Sequence, residues 1–358
     1  MNAASTSPAS APAVRPAAGD PRAGTVLAVR HETRYEYAAP VSLAHHLAHL
    51  QPMTDAHQQV LSFDLTVEPA PDHRREGVDD HANPACWFSL TRLHSLLDVV
   101  VRSEVAVRPR FDALDPATGP AWETLAARLR YVAKAPFVPE VEFALPSPYV
   151  PLLPALRAWA APSVTPGRSV ASLALALMSR VHTEFTYQPA STQVDTPLAQ
   201  VLALKRGVCQ DFAHLLIGAL RSLGVPARYV SGYLLTHAPA LADGTPGEAM
   251  VGADATHAWV QAWCPGTRGV PADGWLDLDP TNDLVPRDGH VRLAVGRDYG
   301  DVAPLRGVIH GGGRHRLSVG VHTEVLPPKA RDRVLPVANA SSDPSLDDSN
   351  PRQESSPS

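Results

Sequence analysis

The region from Cys209 to residue 279 constrains the fold most, because one helical pattern there is followed by short β-like segments. The apolar residues on one face of the helical pattern are Phe212, Ala213, Leu216, Leu220 and Leu223. Gly224 and Pro226 end the pattern, since glycine and proline are typical helix-stop residues. The β-like segments that follow are 228–235, 256–263 and 275–278. A helix followed by consecutive strands favours an antiparallel α+β domain, with Cys209 in the first turn of the helix.

The chain before this region predicts a second, mainly β part. Short β-like segments, separated by Pro, Asp and Asn clusters, occur at 26–37, 60–67 and 97–107. We therefore predict an N-terminal antiparallel β-sandwich-like domain over residues 25–110. Apolar residues recur at intervals of three and four over residues 169–185, which predicts an amphipathic helix packed against the helix that follows it.

The whole chain divides into five predicted parts, of which the β domain is the second. Residues 1–22 and 329–358 are rich in Ala, Pro or Ser and poor in large apolar residues, so both ends are predicted to be disordered tails. Residues 111–166, rich in Pro and Ala, are predicted to connect the β domain to a core. That core, with a C-terminal segment, is assigned to residues 167–328.

Composition argues against several classes of protein. The formal net charge is −5 and the sequence pI is about 6.3, without a basic stripe, so nucleic-acid binding is not expected. No apolar run approaches the roughly 18 residues of a membrane helix, so no membrane association is expected. The three cysteines, Cys86, Cys209 and Cys264, lack paired spacing and are interpreted as thiols in a reducing compartment. The cytoplasm is therefore the expected location, with Cys86 and Cys264 as structural residues.

Cys209 has the surroundings of a nucleophilic thiol. At the start of a helix it meets the positive end of the helix dipole and unpaired backbone N–H groups, which favour the thiolate. Gly207 lets a substrate approach the backbone closely, and the N–H of Cys209 is free to donate to an oxyanion. The alternative is that Cys209 is a small buried apolar residue, the commoner role of a lone intracellular cysteine.

A base and a carboxylate follow Cys209 in the sequence. His257 lies near the start of a predicted strand, and the next strand carries Asp277 and Asp279 on one face. A thiol, an imidazole and an orienting carboxylate are the groups that covalent acyl transfer uses. Asp279 is the preferred partner for orienting the His257 ring, and Asp277 is the second choice.

Motifs around these residues resemble a known family. The motifs are Arg206-Gly-Val-Cys-Gln-Asp-Phe-Ala213, Gly224-Val-Pro-Ala-Arg-Tyr-Val-Ser-Gly-Tyr233, His257-Ala-Trp259 and Gly274-Trp-Leu-Asp-Leu-Asp-Pro-Thr281. Together, and in this order, they resemble the transglutaminase-like core of the papain-like thiol superfamily. The segment at 31–37 with Leu50-Gln-Pro52 resembles the N-terminal β domain of bacterial transglutaminase-like proteins, and 296–304 resembles their C-terminal segment.

The resemblance implies both a fold and an activity. The fold is a papain/transglutaminase-like core with the cysteine at a helix N-terminus packed on an antiparallel sheet. Cys209 is implied as the nucleophile, His257 as the base and Asp279 as the third residue. The implied activity is acyl transfer from peptide or protein amide bonds through a thioester, as a protease, amidase or transamidase, without a cofactor. The alternative is a catalytically silent peptide-binding module of the same fold, and the oligomeric state is left open.

Other residues are weaker candidates. Further cleft or oxyanion candidates are Gln210, Tyr187 and Trp259. Each of these three is also a reasonable packing residue. His45, His46 and His49 have spacings that would suit a zinc site on a helix, but they lie among β signals and no acidic ligand follows them. No metal is therefore expected.

Overall fold

The long strand β1 (Thr25–Ala48) is the centre of the first of two main antiparallel sheets. The structure, a computed structural model, describes residues 24–130, 132–134, 136, 138–236, 250–253 and 255–327. The predicted tails, 1–22 and 329–358, lie outside the described residues.

Helices and strands alternate irregularly along the described chain. The other strands are β2 (Gln58–Glu68), β3 (His73–Val78), β4 (Pro84–Leu90), β5 (His94–Val107), β6 (Thr186–Tyr187), β7 (Arg206–Gly207), β8 (Ala227–Leu234), β9 (His257–Trp263), β10 (Trp275–Leu278), β11 (His290–Gly296), β12 (Leu305–Gly311) and β13 (His315–Val325). The helices are α1 (Trp122–Arg128), α2 (Pro154–Ala160), α3 (Val170–Glu184), α4 (Leu198–Leu204), α5 (Cys209–Ser222) and α6 (Tyr299–Val302), with 3₁₀ turns at Pro139–Ala144 and Ala161–Ser163. The mixture confirms the predicted α+β class. Even α3, with 15 residues, is too short to span a bilayer, and no other described helix has the length and apolarity to do so.

The N-terminal sheet has seven strands because β1 pairs with different neighbours along its length. The first half of β1 lies between β5 and β13, and its second half lies between β4 and β12. Buried and exposed side chains alternate along much of β1, as in a sheet with one face against a core.

The strands β12 and β13 complete this sheet, although the sequence assigned residues 305–325 to the core region. Both pair antiparallel with β1 and supply the partners for its backbone on one side. The C-terminal segment therefore returns to the N-terminal region, and the predicted boundary at residue 167 does not separate two independent halves of the chain. Pairing of this kind is non-local, so the strand pattern alone did not reveal it.

The two sheets also contact each other through apolar side chains. Leu27 and Val105 of the N-terminal sheet share a buried apolar cluster with Tyr233 and Leu293 of the core sheet. The N-terminal region predicted to be sandwich-like is thus one antiparallel sheet among the described strands, and part of its buried side packs against β8 and β11.

The core sheet has the strand order β10-β9-β8-β11, and its strands are buried along almost their whole length. Leu173 of α3, Leu216 of α5 and Val260 of β9 belong to one apolar cluster, so the two predicted amphipathic helices pack on this sheet as expected. Phe143 and Leu156 belong to the same cluster. The segment predicted to be a connector is therefore part of the core packing.

Side-chain amides from the N-terminal region pair with the free edge of β11. Gln58 accepts from the N–H of Arg292 and donates to its carbonyl oxygen, both at 2.8 Å. Asn83 does the same with Val295, also at 2.8 Å in both directions. Both amides are at most 2% exposed, so they replace the neighbouring strand that this buried edge lacks.

Candidate active site

Helix α5 begins at Cys209, as predicted, and a buried carboxylate fixes this starting point. Val208 donates its N–H to Asp211 Oδ2 at 2.8 Å, and Thr192 Oγ1 donates to the same oxygen at 2.6 Å. Burial raises the pKa of Asp211 by more than these hydrogen bonds lower it. A Cβ at Gly207 would lie 2.6 Å from Asp211 Oδ2, so the turn requires glycine. The sequence analysis missed Asp211, although an acidic residue at the third helical position is a capping signal.

Cys209 differs from the other two cysteines in exposure. Cys209 is partly exposed, whereas Cys86 and Cys264 are buried, and all three are free thiols. Burial raises the pKa of Cys86 and of Cys264, which keeps both in the unreactive thiol form. The N–H of Cys209 is at the first helical position and has no partner within the helix. A substrate oxygen beside the sulfur would therefore meet a backbone donor.

His257 links Cys209 to a carboxylate. It is the first residue of β9, and its side chain is completely buried. His257 Nε2 donates to Asp279 Oδ2 at 3.0 Å, whereas Nδ1 is buried and has no hydrogen-bond partner among the described residues. The nearby Cys209 thiol acts on the ring electrostatically. Burial, the largest single influence, lowers the pKa of His257, but the charge of Asp279, the hydrogen bond to Asp279 and the nearby Cys209 outweigh it and raise the pKa to about 10. The imidazole is therefore held in its protonated form.

Asp279 accepts more hydrogen bonds than a residue that only orients one histidine needs. Its Oδ2 accepts from His257, from His290 Nε2 at 3.2 Å and from Asn282 Nδ2 at 2.8 Å. Its Oδ1 accepts from the N–H groups of Thr281 at 2.9 Å and Asn282 at 3.2 Å. Burial raises the pKa of Asp279, but the charge of His257 and these donors hold it well below its usual range. A fully buried carboxylate is thus kept ionised.

Asp277, the second choice for this role, lies in a different environment. The strand register pairs Asp277 with Gln261 of β9. Extended by two residues, the same register places Asp279 opposite Trp259, closer to His257. Asp277 Oδ2 is 3.9 Å from Arg110 Nη1, and that arginine side chain is 8% exposed. The hydrogen bond to the His257 ring comes from Asp279, so the geometry favours Asp279 as the orienting carboxylate.

The three cleft candidates occupy different positions. Trp259 is completely buried and stacks on His257, with ring centroids 6.2 Å apart, so it is a packing residue beneath the imidazole. Gln210 Nε2 donates to the carbonyl of Val194 at 2.9 Å and thereby holds a loop against the first turn of α5. Tyr187 is half-buried and packs edge-on against Phe212, and its hydroxyl lies beside the described loop at 250–253.

That loop was missed by the sequence analysis, and it covers one ring atom of His257. Gly252 has a φ of +89°, and a Cβ built on it would lie 2.8 Å from His257 Nδ1 and 3.6 Å from the Tyr187 hydroxyl. Asn282 fixes the loop, because its Oδ1 accepts from the N–H of Val251 at 2.9 Å and its Nδ2 donates to the Val251 carbonyl at 3.3 Å. The same amide contacts Asp279, so the loop and the carboxylate are held together.

The histidines that resembled a zinc site do not meet around one point. His45 is exposed and His46 is buried, as alternation along β1 requires. His49 instead contacts Asp79, with Nε2 3.1 Å from Oδ2. Within the described part of the chain, no group of His, Cys, Asp or Glu side chains has the arrangement of a metal site.

Comparison with known families agrees with this architecture. Residues 27–106 match the bacterial transglutaminase-like N-terminal region, and residues 157–280 match the transglutaminase-like superfamily. The chain is 38% identical over 303 residues to an uncharacterized protein of Mycobacterium tuberculosis, covering 84% of this chain and 92% of that protein. It is 32% identical over 296 residues to an uncharacterized protein of Mycobacterium leprae, covering 82% and 96%. The chain therefore belongs to the transglutaminase-like superfamily and carries the bacterial N-terminal region, which confirms the resemblance in its motifs.

A solved structure supports the fold independently. A protein of Cytophaga hutchinsonii, described as a candidate cysteine protease, superposes with a TM-score of 0.62 at 21% identity, covering 85% of this chain and 91% of that one. At this identity the likeness shows a shared fold. Over a shorter stretch of 129 residues, the chain is 30% identical to a protein-glutamine gamma-glutamyltransferase of Pseudomonas aeruginosa, covering 32% of this chain and 16% of that enzyme.

Proposed function

We propose that this protein is a cysteine-dependent acyl-transfer enzyme that acts on amide bonds of peptides or proteins. The observation that carries the proposal is the hydrogen bond from His257 to the fully buried Asp279, close to the partly exposed Cys209 at the start of α5. Membership of the transglutaminase-like superfamily supports the same chemistry. Cys209 is partly exposed, whereas Cys86 and Cys264 are buried, and this difference supports Cys209 as the nucleophile.

In the first half of the proposed reaction, the Cys209 thiolate, paired with the His257 imidazolium, attacks the amide carbonyl carbon. The oxyanion that forms is stabilised by the N–H of Cys209 and by the positive end of the α5 dipole. His257, held as an imidazolium by Asp279, then gives its proton to the departing amine as the carbon–nitrogen bond breaks. A thioester on Cys209 and a neutral His257 remain.

In the second half, water or another amine attacks the thioester. His257 takes a proton from the attacking group, and the Cys209 sulfur leaves as the thiolate. Attack by water yields a carboxylic acid, as in a protease or amidase, whereas attack by an amine yields a new amide, as in a transamidase. Both outcomes share the same intermediate, and the short match to a glutamyltransferase is consistent with the second.

The same proposal includes a peptide or protein as the substrate and the cytoplasm as the compartment. The nucleophile must be a reduced thiol, and all three cysteines are free. A reducing compartment keeps such thiols available.

Mass spectrometry of the intact protein during turnover of a peptide library tests the proposal. We expect an acyl group on Cys209 that is absent from the Cys209→Ala variant, and added hydroxylamine should attack this thioester and release the acyl group as a hydroxamate. A silent peptide-binding module gives a different result: both proteins bind peptides equally and neither carries an acyl group. That outcome would exclude the enzyme proposal.

A further inference from the structure

His290 contacts the carboxylate of the proposed site from a strand that the sequence motifs did not mark. It is the first residue of β11 and is 5% exposed. Its Nε2 donates to Asp279 Oδ2 at 3.2 Å, and the same oxygen accepts from His257 at 3.0 Å. Asp279 therefore joins two imidazoles, of which His257 is the one that interacts with Cys209.

A single indole ring fixes the orientation of both imidazoles. The Trp259 ring lies edge-on to His290, with centroids 5.3 Å apart and an interplanar angle of 86°. It lies much closer to parallel with His257, at 6.2 Å and 26°. Trp259 passes over β8 at Gly232, where a Cβ would lie 2.3 Å from the indole. Because this indole is completely buried in a close-packed core, the His290 ring has little freedom to turn away from Asp279.

The hydrogen-bond partners of the His290 ring show which of its two nitrogens carries a proton. Nδ1 is buried and has no hydrogen-bond partner among the described residues. His290 lines a small polar cavity together with Arg110, Asp277 and Arg292. The guanidinium of Arg110 makes no hydrogen bond from its buried Nε and Nη1 within the described chain, although Nη1 lies 3.9 Å from Asp277 Oδ2. Since the Asp279 carboxylate can only accept, Nε2 carries the proton of this contact.

We propose that His290 is a positioning residue of the acyl-transfer site: its Nε2–H fixes the Asp279 carboxylate in the orientation that aligns His257 with Cys209. This inference rests on the function proposed above. His290 acts through Asp279 and makes no contact with the reacting atoms in this scheme. Loss of its donor leaves Oδ2 with the bonds from His257 and Asn282, and Oδ1 keeps its two backbone donors. The carboxylate therefore stays bound, but the angle that it presents to His257 is less tightly fixed.

Two polar substitutions separate positioning from packing. In His290→Gln the side-chain amide nitrogen lies where Nε2 was, so it can still donate to Asp279, whereas in His290→Asn the amide stops short of that position. We expect His290→Asn to lower kcat by up to about 10²-fold with little change in KM, the cost typical of a small misplacement in an active site. His290→Gln should retain most of the wild-type kcat. Equal losses in the two variants would assign His290 a purely structural role and overturn the proposal.

A second measurement does not depend on knowing the substrate. The rate of Cys209 alkylation by iodoacetamide, followed by peptide mass spectrometry across a pH series, reports the interaction of the thiol with His257. We expect the pH profile of His290→Asn to move toward that of His257→Ala, while His290→Gln follows the wild type. If both His290 variants match the wild type, the positioning role is rejected.

The same alkylation series tells apart the two ways in which the inference can fail. If wild-type Cys209 reacts no faster than Cys209 in the His257→Ala variant at any pH, the proposed function itself fails. If wild-type Cys209 is activated and the His290 variants behave as the wild type, only the role of His290 fails.

Discussion

The two antiparallel sheets differ in where they place polar side chains. In the N-terminal sheet, polar residues alternate with apolar ones and mostly face outward, as along β1 and β2. In the core sheet, strands β9, β10 and β11 are buried at every position, yet they carry His257, Asp277 and His290. An outward-facing polar residue on the N-terminal sheet stays hydrated. A buried polar residue on the core sheet must instead have a partner that offsets its desolvation.

This difference shows why the core sheet is the one that carries the proposed chemistry. His257 and His290 both donate to Asp279, and the pKa of His257 is raised and that of Asp279 lowered from their usual values. The N-terminal sheet contributes support instead, through Gln58 and Asn83 at the edge of β11. Substitutions in the two sheets should therefore act on different properties.

The largest effect on turnover is expected from replacing Cys209, the proposed nucleophile next to the core sheet. Cys209→Ala should abolish turnover, because no other group near His257 can form the thioester. The fold should persist, since the substitution removes one partly exposed sulfur atom. Turnover and the circular dichroism spectrum, measured on the same sample, check both statements. Residual turnover at a measurable rate would show that the nucleophile is elsewhere.

The next effect separates the two carboxylates of the core sheet. Asp279→Asn should lower kcat by about 10²- to 10⁴-fold, the range for a positioned general acid or base, because the His257 ring loses its orienting charge. Asp277→Asn should cost less, since Asp277 contacts Arg110. Steady-state kinetics of the two variants give the ranking. The reverse order would move the orienting role to Asp277.

In the Asp279→Asn variant we also expect the pKa of His257 to change. In the wild type, the pKa of His257 is raised to about 10 from 6.5, so its protonation stabilises the fold fully below pH 6.5, and this contribution is lost as pH rises through about 10. Without the charge of Asp279, burial should dominate and lower the pKa of His257 below its usual value. NMR titration of the His257 ring measures this directly. An unchanged midpoint in Asp279→Asn would show that Asp279 does not set the charge of His257.

A smaller effect, on stability alone, is expected where the two sheets meet. Asn83→Ala leaves the buried N–H and carbonyl of Val295 unpaired, which should lower the free energy of unfolding by about 1–3 kcal/mol. The properly folded fraction should keep its kcat, since Asn83 supports the far edge of the sheet. Urea unfolding and kinetics of the variant test the two parts of this prediction. Loss of kcat without loss of stability would contradict the division of roles between the sheets.

The smallest effect is expected on the exposed face of the N-terminal sheet. Arg34 forms a two-bond ion pair with Asp98, but the pair lies in solvent. Exposed pairs contribute little because water screens them. Arg34→Ala should therefore leave both the urea midpoint and kcat unchanged within error. A clear loss of activity would indicate that this face takes part in substrate binding.

Local patterns were enough to predict the elements that bear the site. The apolar spacing after Cys209 and the stop at Gly224 predicted α5, and short β-like segments between Gly, Pro and Asp residues predicted β9 and β10, because these signals depend on neighbouring residues in the chain. The motifs around Cys209, His257 and Asp279 were also sufficient to recognise the superfamily. Their meeting in space required the fold.

Other features depended on contacts between distant parts of the chain. His290 is one histidine in an otherwise ordinary strand, and nothing near it in sequence shows that it donates to a carboxylate 11 residues earlier. The pairing of β12 and β13 with β1, and of Gln58 and Asn83 with β11, joins segments more than 200 residues apart. The sequence by itself thus determined the helix, the strands and the three central residues of the proposed site. Only the tertiary structure decided what surrounds them, because burial and hydrogen-bond partners are set by which distant segments pack together.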